Sequence, residues 1–154
     1  HMMITDVVAP EAIIPALKVN SKKQALQELA ARASELTGQN DRAIFEVLLR
    51  REKLGTTAVG YGVAIPHGKL QKLDKIFGLF ARLDRPIDFE AMDGQPVDLI
   101  FLLLAPEGAG ADHLKALARI ARLLRDQDIA NKLRASRDAE AIYSVLALPP
   151  ATVP

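Results

Sequence analysis

The hydrophobic and polar positions in the first third of the chain alternate with the period of α-helices. Asn20-Ser21 is typical of a helix N-cap, and Gly38 is typical of a helix end. Asp41 is predicted to cap a second helix that runs to about Lys53. The predicted buried faces carry Ala25, Leu26, Leu29, Ala30, Ala33 and Leu36 in the first helix, and Ile44, Phe45, Leu48 and Leu49 in the second.

Mostly apolar runs predict the strands. Residues 13–14, 63–65, 76–83 and 97–104 form such runs, and turns are predicted at Pro86 and at Asp93-Gly94. The run 97–104 is apolar at nearly every position, which is typical of a strand that is covered on both faces.

The last third of the chain again shows helical spacing. Asp112 is predicted to cap a helix with His113 in its first turn, and another helix is predicted to begin near Ser136. Their apolar faces are predicted to carry Leu114, Leu117, Ala118, Ala121 and Leu124, and Ala139, Ile142, Tyr143 and Leu146. Because helices and strands interleave, we expect an α/β domain with a central sheet covered by helices on both sides.

Composition narrows the class of protein. The chain has 154 residues, a formal net charge of +1 and no cysteine. One domain is expected at residues 3–148, with His1 and Met2 as a cloning remnant and 149–154 as a flexible tail. The balanced charge favours neither nucleic acid nor an anionic membrane as a partner, and no apolar run reaches the ~20 residues of a membrane span. A soluble, cytoplasmic protein is expected.

One imidazole stands out among the residues that can carry chemistry. His67 follows the predicted strand 63–65 and lies between Pro66, which fixes the backbone, and Gly68, which leaves room beside the ring. An imidazole with a pKa of about 6.5 is mostly neutral near pH 7 and can attack phosphorus as a nucleophile. His67 is therefore the predicted acceptor of a phosphoryl group.

An arginine and a glycine-rich segment are predicted to hold the anion at His67. Arg51 lies in the last turn of the second predicted helix, and its forked donors suit phosphate oxygens. Gly55, Thr56 and Thr57, together with Gly68, form the predicted phosphate-binding loop, in which two hydroxyls and backbone amides converge on one anion. A plainer role for Arg51 stays open, as a solvated helix end that complements the helix dipole.

Two further side chains are candidates for the same site. His113 lies in the first turn of its predicted helix, where unpaired amides and a partial positive charge favour a phosphate and oppose protonation of the ring. It is predicted to support His67, with an exposed residue near a helix cap as the alternative. Lys69 adds positive charge to the rim, or is simply a solvated lysine.

These residues form a longer pattern. The block Arg51-Glu52-Lys53-Leu54-Gly55-Thr56-Thr57, followed by Gly60-x-Gly62 and residues 63–68, resembles the mannitol/fructose-type EIIA domains of the bacterial phosphotransferase system. Segments 97–101 and 113–120 are similar to later parts of that family, so the resemblance covers nearly the whole chain. Within the family, the continuation Gly68-Lys69-Leu70 is most similar to the nitrogen-regulatory branch.

The resemblance implies a fold, a chemistry and partners. The fold is a three-layer α/β/α sandwich around a mixed β-sheet. His67 accepts a phosphoryl group from a phosphorylated HPr-like carrier, of the nitrogen type (NPr) or the sugar type (HPr), with Arg51 and His113 in supporting positions. The protein is then a phosphoryl carrier, formally a transferase, with no turnover of a small molecule of its own. No cofactor and no metal are expected, because arginine and backbone amides supply the charge stabilisation.

Alternatives of other classes remain. A protein that keeps its phosphoryl group and signals to regulatory targets is favoured over a sugar-specific component that passes the group to an EIIB domain. A metal-dependent hydrolase with His67 and His113 as ligands is a remote alternative, because the close histidine spacing of common zinc motifs is missing.

Overall fold

Six strands form one mixed sheet in residues 2–149, the part of the chain that this computed structural model describes. The strands lie in the order β1-β5-β6-β3-β2, and β4 also pairs with β6. The pairs β1–β5, β3–β6 and β4–β6 are parallel, whereas β5–β6 and β2–β3 are antiparallel. The strands are β1 (Ile13–Leu17), β2 (Ala58–Gly60), β3 (Val63–Ala64), β4 (His67–Leu70), β5 (Phe77–Ile87) and β6 (Val97–Pro106).

Strands β3 and β4 follow the same edge of β6 as two halves of an interrupted strand. Val63 pairs with Leu99, His67 pairs with Leu103, and the N–H of Leu103 donates to the carbonyl of Pro66 at 2.9 Å. The proline between the halves has no N–H for the ladder, so regular pairing stops there. His67 therefore begins a strand of its own, which the sequence did not predict.

Five α-helices in residues 2–149 cover the sheet. They are α1 (Lys22–Thr37), α2 (Asp41–Lys53), α3 (Ala111–Arg125), α4 (Gln127–Ala135) and α5 (Ala139–Leu146). Helices α1 and α2 pack on each other, and α3, α4 and α5 form a second group. Since the central strand β6 is fully buried from Leu99 to Ala105, both faces of the sheet are covered, which confirms the predicted α/β/α architecture.

The ends of the first helix agree with the prediction, and those of three other helices need correction. The Ser21 hydroxyl accepts from the Gln24 N–H, and Gly38 ends α1 with a φ of 77°. Asn40, rather than Asp41, caps α2 through its side chain. Gly110 precedes α3, so Asp112 is a first-turn residue rather than the cap. Asp138 caps α5, which begins three residues after Ser136.

The apolar face predicted for α3 is rotated from the real one. The buried residues are His113, Ala116, Ile120 and Leu124, whereas Leu114 is 66% exposed and Ala118 is also exposed. Histidine is a polar residue type, so the apolar periodicity does not include His113, although its ring lies on the buried stripe. His113 is thus not the exposed residue of the alternative reading. In α1, Leu36 is likewise 37% exposed.

Besides β4, a helix and a strand were not predicted, and one turn was misplaced. Helix α4 is capped by Asp126, whose carboxylate accepts from the N–H groups of Asp128 and Ile129. The short strand β2 also lacks an apolar run. Pro86 lies inside β5 instead of marking a turn, at a place where the register with β6 shifts and a missing N–H costs little.

Some predictions concern the ends of the chain and membrane-spanning segments. His1 of the expected cloning remnant and residues 150–154 of the expected tail lie outside the described residues. None of the helices within residues 2–149 has the length and apolar content that crossing a bilayer requires.

Candidate functional site

The site begins with His67, the first residue of β4. Its ring is half-buried, and Nδ1 lies 2.9 Å from the carbonyl oxygen of Ile65. A carbonyl oxygen only accepts hydrogen bonds, so Nδ1 carries the proton and Nε2 holds the free lone pair. The sequence left open which ring nitrogen is free, and the Ile65 carbonyl leaves the lone pair on Nε2.

Arg51 reaches the same nitrogen from the last turn of α2. Its Nε–H donates to His67 Nε2 at 3.3 Å, and its NH1 group donates to the Gly55 carbonyl at 2.9 Å. A guanidinium is a donor only, which independently requires Nε2 to be the acceptor. The predicted pairing of Arg51 with His67 is present, and the plain role of a solvated helix end does not describe this side chain.

The close approach of α2 to β4 depends on Gly68. A Cβ atom at this position would overlap Cγ1 of Val47 on α2. The absence of a side chain therefore lets the helix lie against the strand and brings Arg51 within reach of His67.

His113 completes the group from the first turn of α3. It is 7% exposed, and its ring centroid lies 5.8 Å from that of His67 with the planes tilted by 48°. Its Nδ1 is buried and has no hydrogen-bond partner in the described part of the chain. A buried polar atom without a partner typically costs ~1–3 kcal/mol, and such atoms are found at functional sites.

Burial and charge keep both rings neutral. Burial lowers the pKa of His67, the Ile65 carbonyl opposes this shift, and the Arg51 charge lowers the pKa further while the Glu52 charge raises it. Burial also lowers the pKa of His113, assisted by His67 and by the exposed Lys69. The neutral ring that a nucleophile needs is therefore favoured at His67.

The polar groups of the predicted phosphate-binding loop have hydrogen-bond partners within the protein. Gly55, at a φ of 145°, presents its carbonyl to Arg51. The Thr56 hydroxyl donates to the Phe89 carbonyl at 2.6 Å. The Thr57 N–H and hydroxyl both donate to the carboxylate of Glu52. The hydroxyls that were expected to converge on an anion are thus directed elsewhere, and direct phosphate binding by this loop stays a prediction.

Two charged residues beside the site were not singled out in the sequence. Glu52 is 7% exposed and forms an ion pair with Lys22 at 2.7 Å. A signal existed for the glutamate, since Ile44, Leu48 and Glu52 follow one another at intervals of four on the buried stripe of α2. No comparable pattern marks Lys22, which meets Glu52 only through the packing of α1 on α2.

The metal-ion alternative finds little support in this geometry. The described residues contain no group of three or more His, Cys, Asp or Glu side chains placed to hold a metal ion. Moreover, the guanidinium of Arg51 occupies the lone pair of His67 that a cation would need.

Comparison with known protein families gives a match over most of the chain. Residues 6–148 match the family model described as the phosphoenolpyruvate-dependent sugar phosphotransferase system, EIIA 2. A nitrogen regulatory protein of Bradyrhizobium diazoefficiens is 91% identical over 151 residues, which cover 98% of this chain and 99% of the relative. A fructose-specific EIIA component of the phosphotransferase system from Haloferax volcanii is 38% identical over 128 residues, covering 82% and 83% of the two chains.

A solved structure shows the same fold. The crystal structure of nitrogen regulatory protein IIA-Ntr from Neisseria meningitidis superimposes with a TM-score of 0.88 at 36% sequence identity. The alignment covers 93% of this chain and 98% of the other.

Proposed function

Because the chain belongs to the EIIA 2 family of the phosphoenolpyruvate-dependent sugar phosphotransferase system, we propose that His67 Nε2 accepts a phosphoryl group from a phosphorylated HPr-like carrier. The observation that carries this proposal is the pair of hydrogen bonds on the His67 ring. Ile65 holds the proton on Nδ1, and Arg51 lies beside the lone pair of Nε2. The nucleophile and a positive charge for the incoming phosphoryl oxygens are thus side by side.

The transfer needs no proton movement at His67. The P–N bond of the donor phosphohistidine breaks as the bond between phosphorus and Nε2 forms, and the donor nitrogen keeps the electron pair. Nδ1–H remains bonded to the Ile65 carbonyl, so the phosphorylated ring carries one positive charge, next to the negative charges of the phosphoryl oxygens. When Nε2 is phosphorylated, the Nε–H of Arg51 loses its acceptor and becomes available to a phosphoryl oxygen, at the ~2.8 Å of a charge-assisted hydrogen bond.

His113 is the second proposed support. Its neutral ring lies close to His67, and its buried Nδ1 lacks a partner in the described residues. In the proposed role, the Nδ1–H of His113 donates to a phosphoryl oxygen on His67. Such a bond would also satisfy a polar atom that is now buried without one.

Exposed leucines beside these residues favour a protein as the donor. Leu54, three positions after Arg51, is 83% exposed, and Leu114, next to His113, is 66% exposed. Exposed large apolar side chains around a polar centre are typical of protein contact sites. The donor protein can therefore cover the apolar rim and exclude water from the transferring group.

The nitrogen-regulatory branch is the favoured role. The high identity to the Bradyrhizobium nitrogen regulatory protein supports a carrier that keeps its phosphoryl group as a signal for regulatory partner proteins in the cytoplasm. The fructose-specific relative keeps a second role open, in which the group passes on to an EIIB domain. NPr-type and HPr-type carriers are the corresponding donors.

A labelling reaction tests the proposal. The protein is incubated with radiolabelled phosphoenolpyruvate, enzyme I and either an NPr-type or an HPr-type carrier, and acid-labile, base-stable phosphate is counted. We expect label on the wild type and none on His67→Ala. Faster labelling from the NPr-type carrier and no onward transfer to an EIIB domain support the regulatory role. Label on His67→Ala would disprove His67 as the acceptor.

A further inference from the structure

A buried ion pair lies directly behind the proposed phosphoryl site. The carboxylate of Glu52 receives Lys22 Nζ at 2.7 Å, the N–H of Thr57 at 3.2 Å and the Thr57 hydroxyl. The Glu52 side chain is only 3% exposed and that of Lys22 is 17% exposed. Burying charged groups this far from water costs free energy unless their partners are well placed. The ion pair and its hydrogen bonds therefore hold the Glu52 side chain tightly.

This ion pair closes the turn that connects α2 to β2. Glu52 and Thr57 are joined across the turn, and inside it the Gly55 carbonyl accepts from Arg51 NH1. Arg51 and Glu52 are neighbours in the last turn of α2 and have different partners. Arg51 reaches His67, and Glu52 reaches Lys22. Any movement of the turn would therefore shift the carbonyl that orients the guanidinium.

Lys22 extends this support to a second segment. Its ammonium also lies 3.3 Å from Glu90 and 4.9 Å from the centre of the Phe89 ring. The Phe89 carbonyl accepts from the Thr56 hydroxyl, so the 55–57 turn is tied to α1 and to the segment at 89–90 at once.

We propose that Glu52, held by Lys22 and Thr57, is a positioning residue for phosphoryl transfer, because it fixes the turn whose Gly55 carbonyl orients Arg51 on His67 Nε2. This inference rests on the proposed function of His67. In the described part of the chain, the Glu52 carboxylate bonds to Lys22 and Thr57 and not to the His67 ring. Its effect is on the geometry of Arg51, and phosphoryl transfer is sensitive to misplacement by an ångström or so.

Glu52→Gln tests this role, with the exposed Glu46→Gln on the same helix as the matched control. At saturating phosphorylated donor we expect Glu52→Gln to take up label about ten-fold more slowly, because the orientation of Arg51 is lost. The donor concentration that gives half-maximal rate should change by less than about two-fold, since the contact surface is intact. Glu46→Gln should match the wild type.

A second readout separates positioning from simple loss of structure. Beyond the effect of burial, Glu52 raises and Arg51 lowers the pKa of His67, with the larger effect from Arg51, and the ring of His113 also lies beside it. If Glu52→Gln also releases Arg51 from Nε2, NMR titration should give a His67 midpoint at or above that of the wild type, whereas a lower midpoint shows that only the Glu52 charge was lost and overturns the positioning role. Lys22→Arg, which keeps the charge, should retain the rate that Lys22→Met loses.

The outcomes distinguish this inference from the function on which it rests. Absence of label on the wild type overturns the proposed function, and this inference with it. Normal labelling of the wild type and an equal rate for Glu52→Gln overturn the positioning role alone. If circular dichroism shows that Glu52→Gln does not fold, Thr57→Val replaces it as the test variant. This variant keeps the ion pair and removes only the hydrogen bond of the Thr57 hydroxyl. An unchanged rate of phosphoryl uptake in Thr57→Val would overturn the positioning role of Glu52.

Discussion

At the scale of the residue, the tautomer of His67 is set by two neighbours of opposite character. The Ile65 carbonyl can only accept a hydrogen bond, and the Arg51 guanidinium can only donate one. Together they leave a single tautomer, with the proton on Nδ1. Partial burial disfavours the charged ring, so the neutral nucleophile persists to lower pH than an exposed histidine would allow.

The first prediction concerns the titration of this ring. Because burial and Arg51 lower the pKa of His67, NMR should give a midpoint below the ordinary value of 6.5. Arg51→Ala removes one of the lowering charges and should move the midpoint upward. A wild-type midpoint at or above 6.5 would contradict the electrostatics described for the site.

The same shifts predict how stability depends on pH. Both histidines bind protons less readily in the folded protein than in the unfolded chain. As pH falls through about 6.5, the unfolded state is protonated first, so the free energy of unfolding decreases below that pH and is fully retained above it. Urea unfolding at pH 7.5 and 5.5 measures this loss. The double variant His67→Gln/His113→Gln should show a smaller one.

The two supporting residues should differ in their effect on the rate. Arg51→Ala removes a charge that faces the transferring group, and we expect phosphoryl uptake to slow about 100-fold. His113→Ala should cost less, about ten-fold, because this ring is one uncharged donor. Uptake rates from the same donor measure both. A normal rate in Arg51→Ala would remove arginine from the mechanism, and a normal rate in His113→Ala would leave that ring a packing role.

At the scale of the element, the site depends on how closely α2 lies against β4. Gly68 follows the reactive histidine and faces Val47 in the middle of the helix. Gly68→Ala would force the helix away from the strand, and overpacking of this kind costs about 1–3 kcal/mol of unfolding free energy. Urea unfolding measures the loss, and the uptake rate should fall with it because Arg51 moves with α2.

A matched glycine provides the control. Gly108 lies in the one-turn helix before α3, and a Cβ atom there would meet nothing within 4 Å. Gly108→Ala should therefore leave both stability and rate near those of the wild type. Equal stability of the two alanine variants would show that α2 and β4 adapt to each other without cost.

At the scale of the whole molecule, the sequence predicted those features of the fold that a local pattern of residues determines. The buried strand β6, the cap at Ser21 and the stop at Gly38 follow from apolar runs and cap chemistry. Residue chemistry made Arg51 and His113 candidates for the His67 site, and the family resemblance added that they support His67, because residues from three separate elements carry no local signal of contact. Strand order and the Lys22–Glu52 pair depend on tertiary packing alone, and neither was predicted.

The last prediction follows from the preformed state of the site. Arg51 already lies beside the reactive nitrogen, His113 is already buried next to it, and both are fixed by a sheet that is covered on both faces. Phosphorylation then adds charge at one point and needs only side-chain adjustments. We therefore expect that a regulatory partner distinguishes the two forms by charge at His67 and not by a new fold.

Amide chemical shifts of the phosphorylated and unphosphorylated protein measure this directly. Changes should concentrate at the last turn of α2, the 54–57 turn, the start of β4 and the first turn of α3. Helix α5 and strand β1, which pack on each other in another part of the molecule, should keep their shifts. Large changes in α5 and β1 would show that the phosphoryl group acts through a rearrangement of the fold, because a charge confined to the site is screened within about 10 Å at ordinary salt.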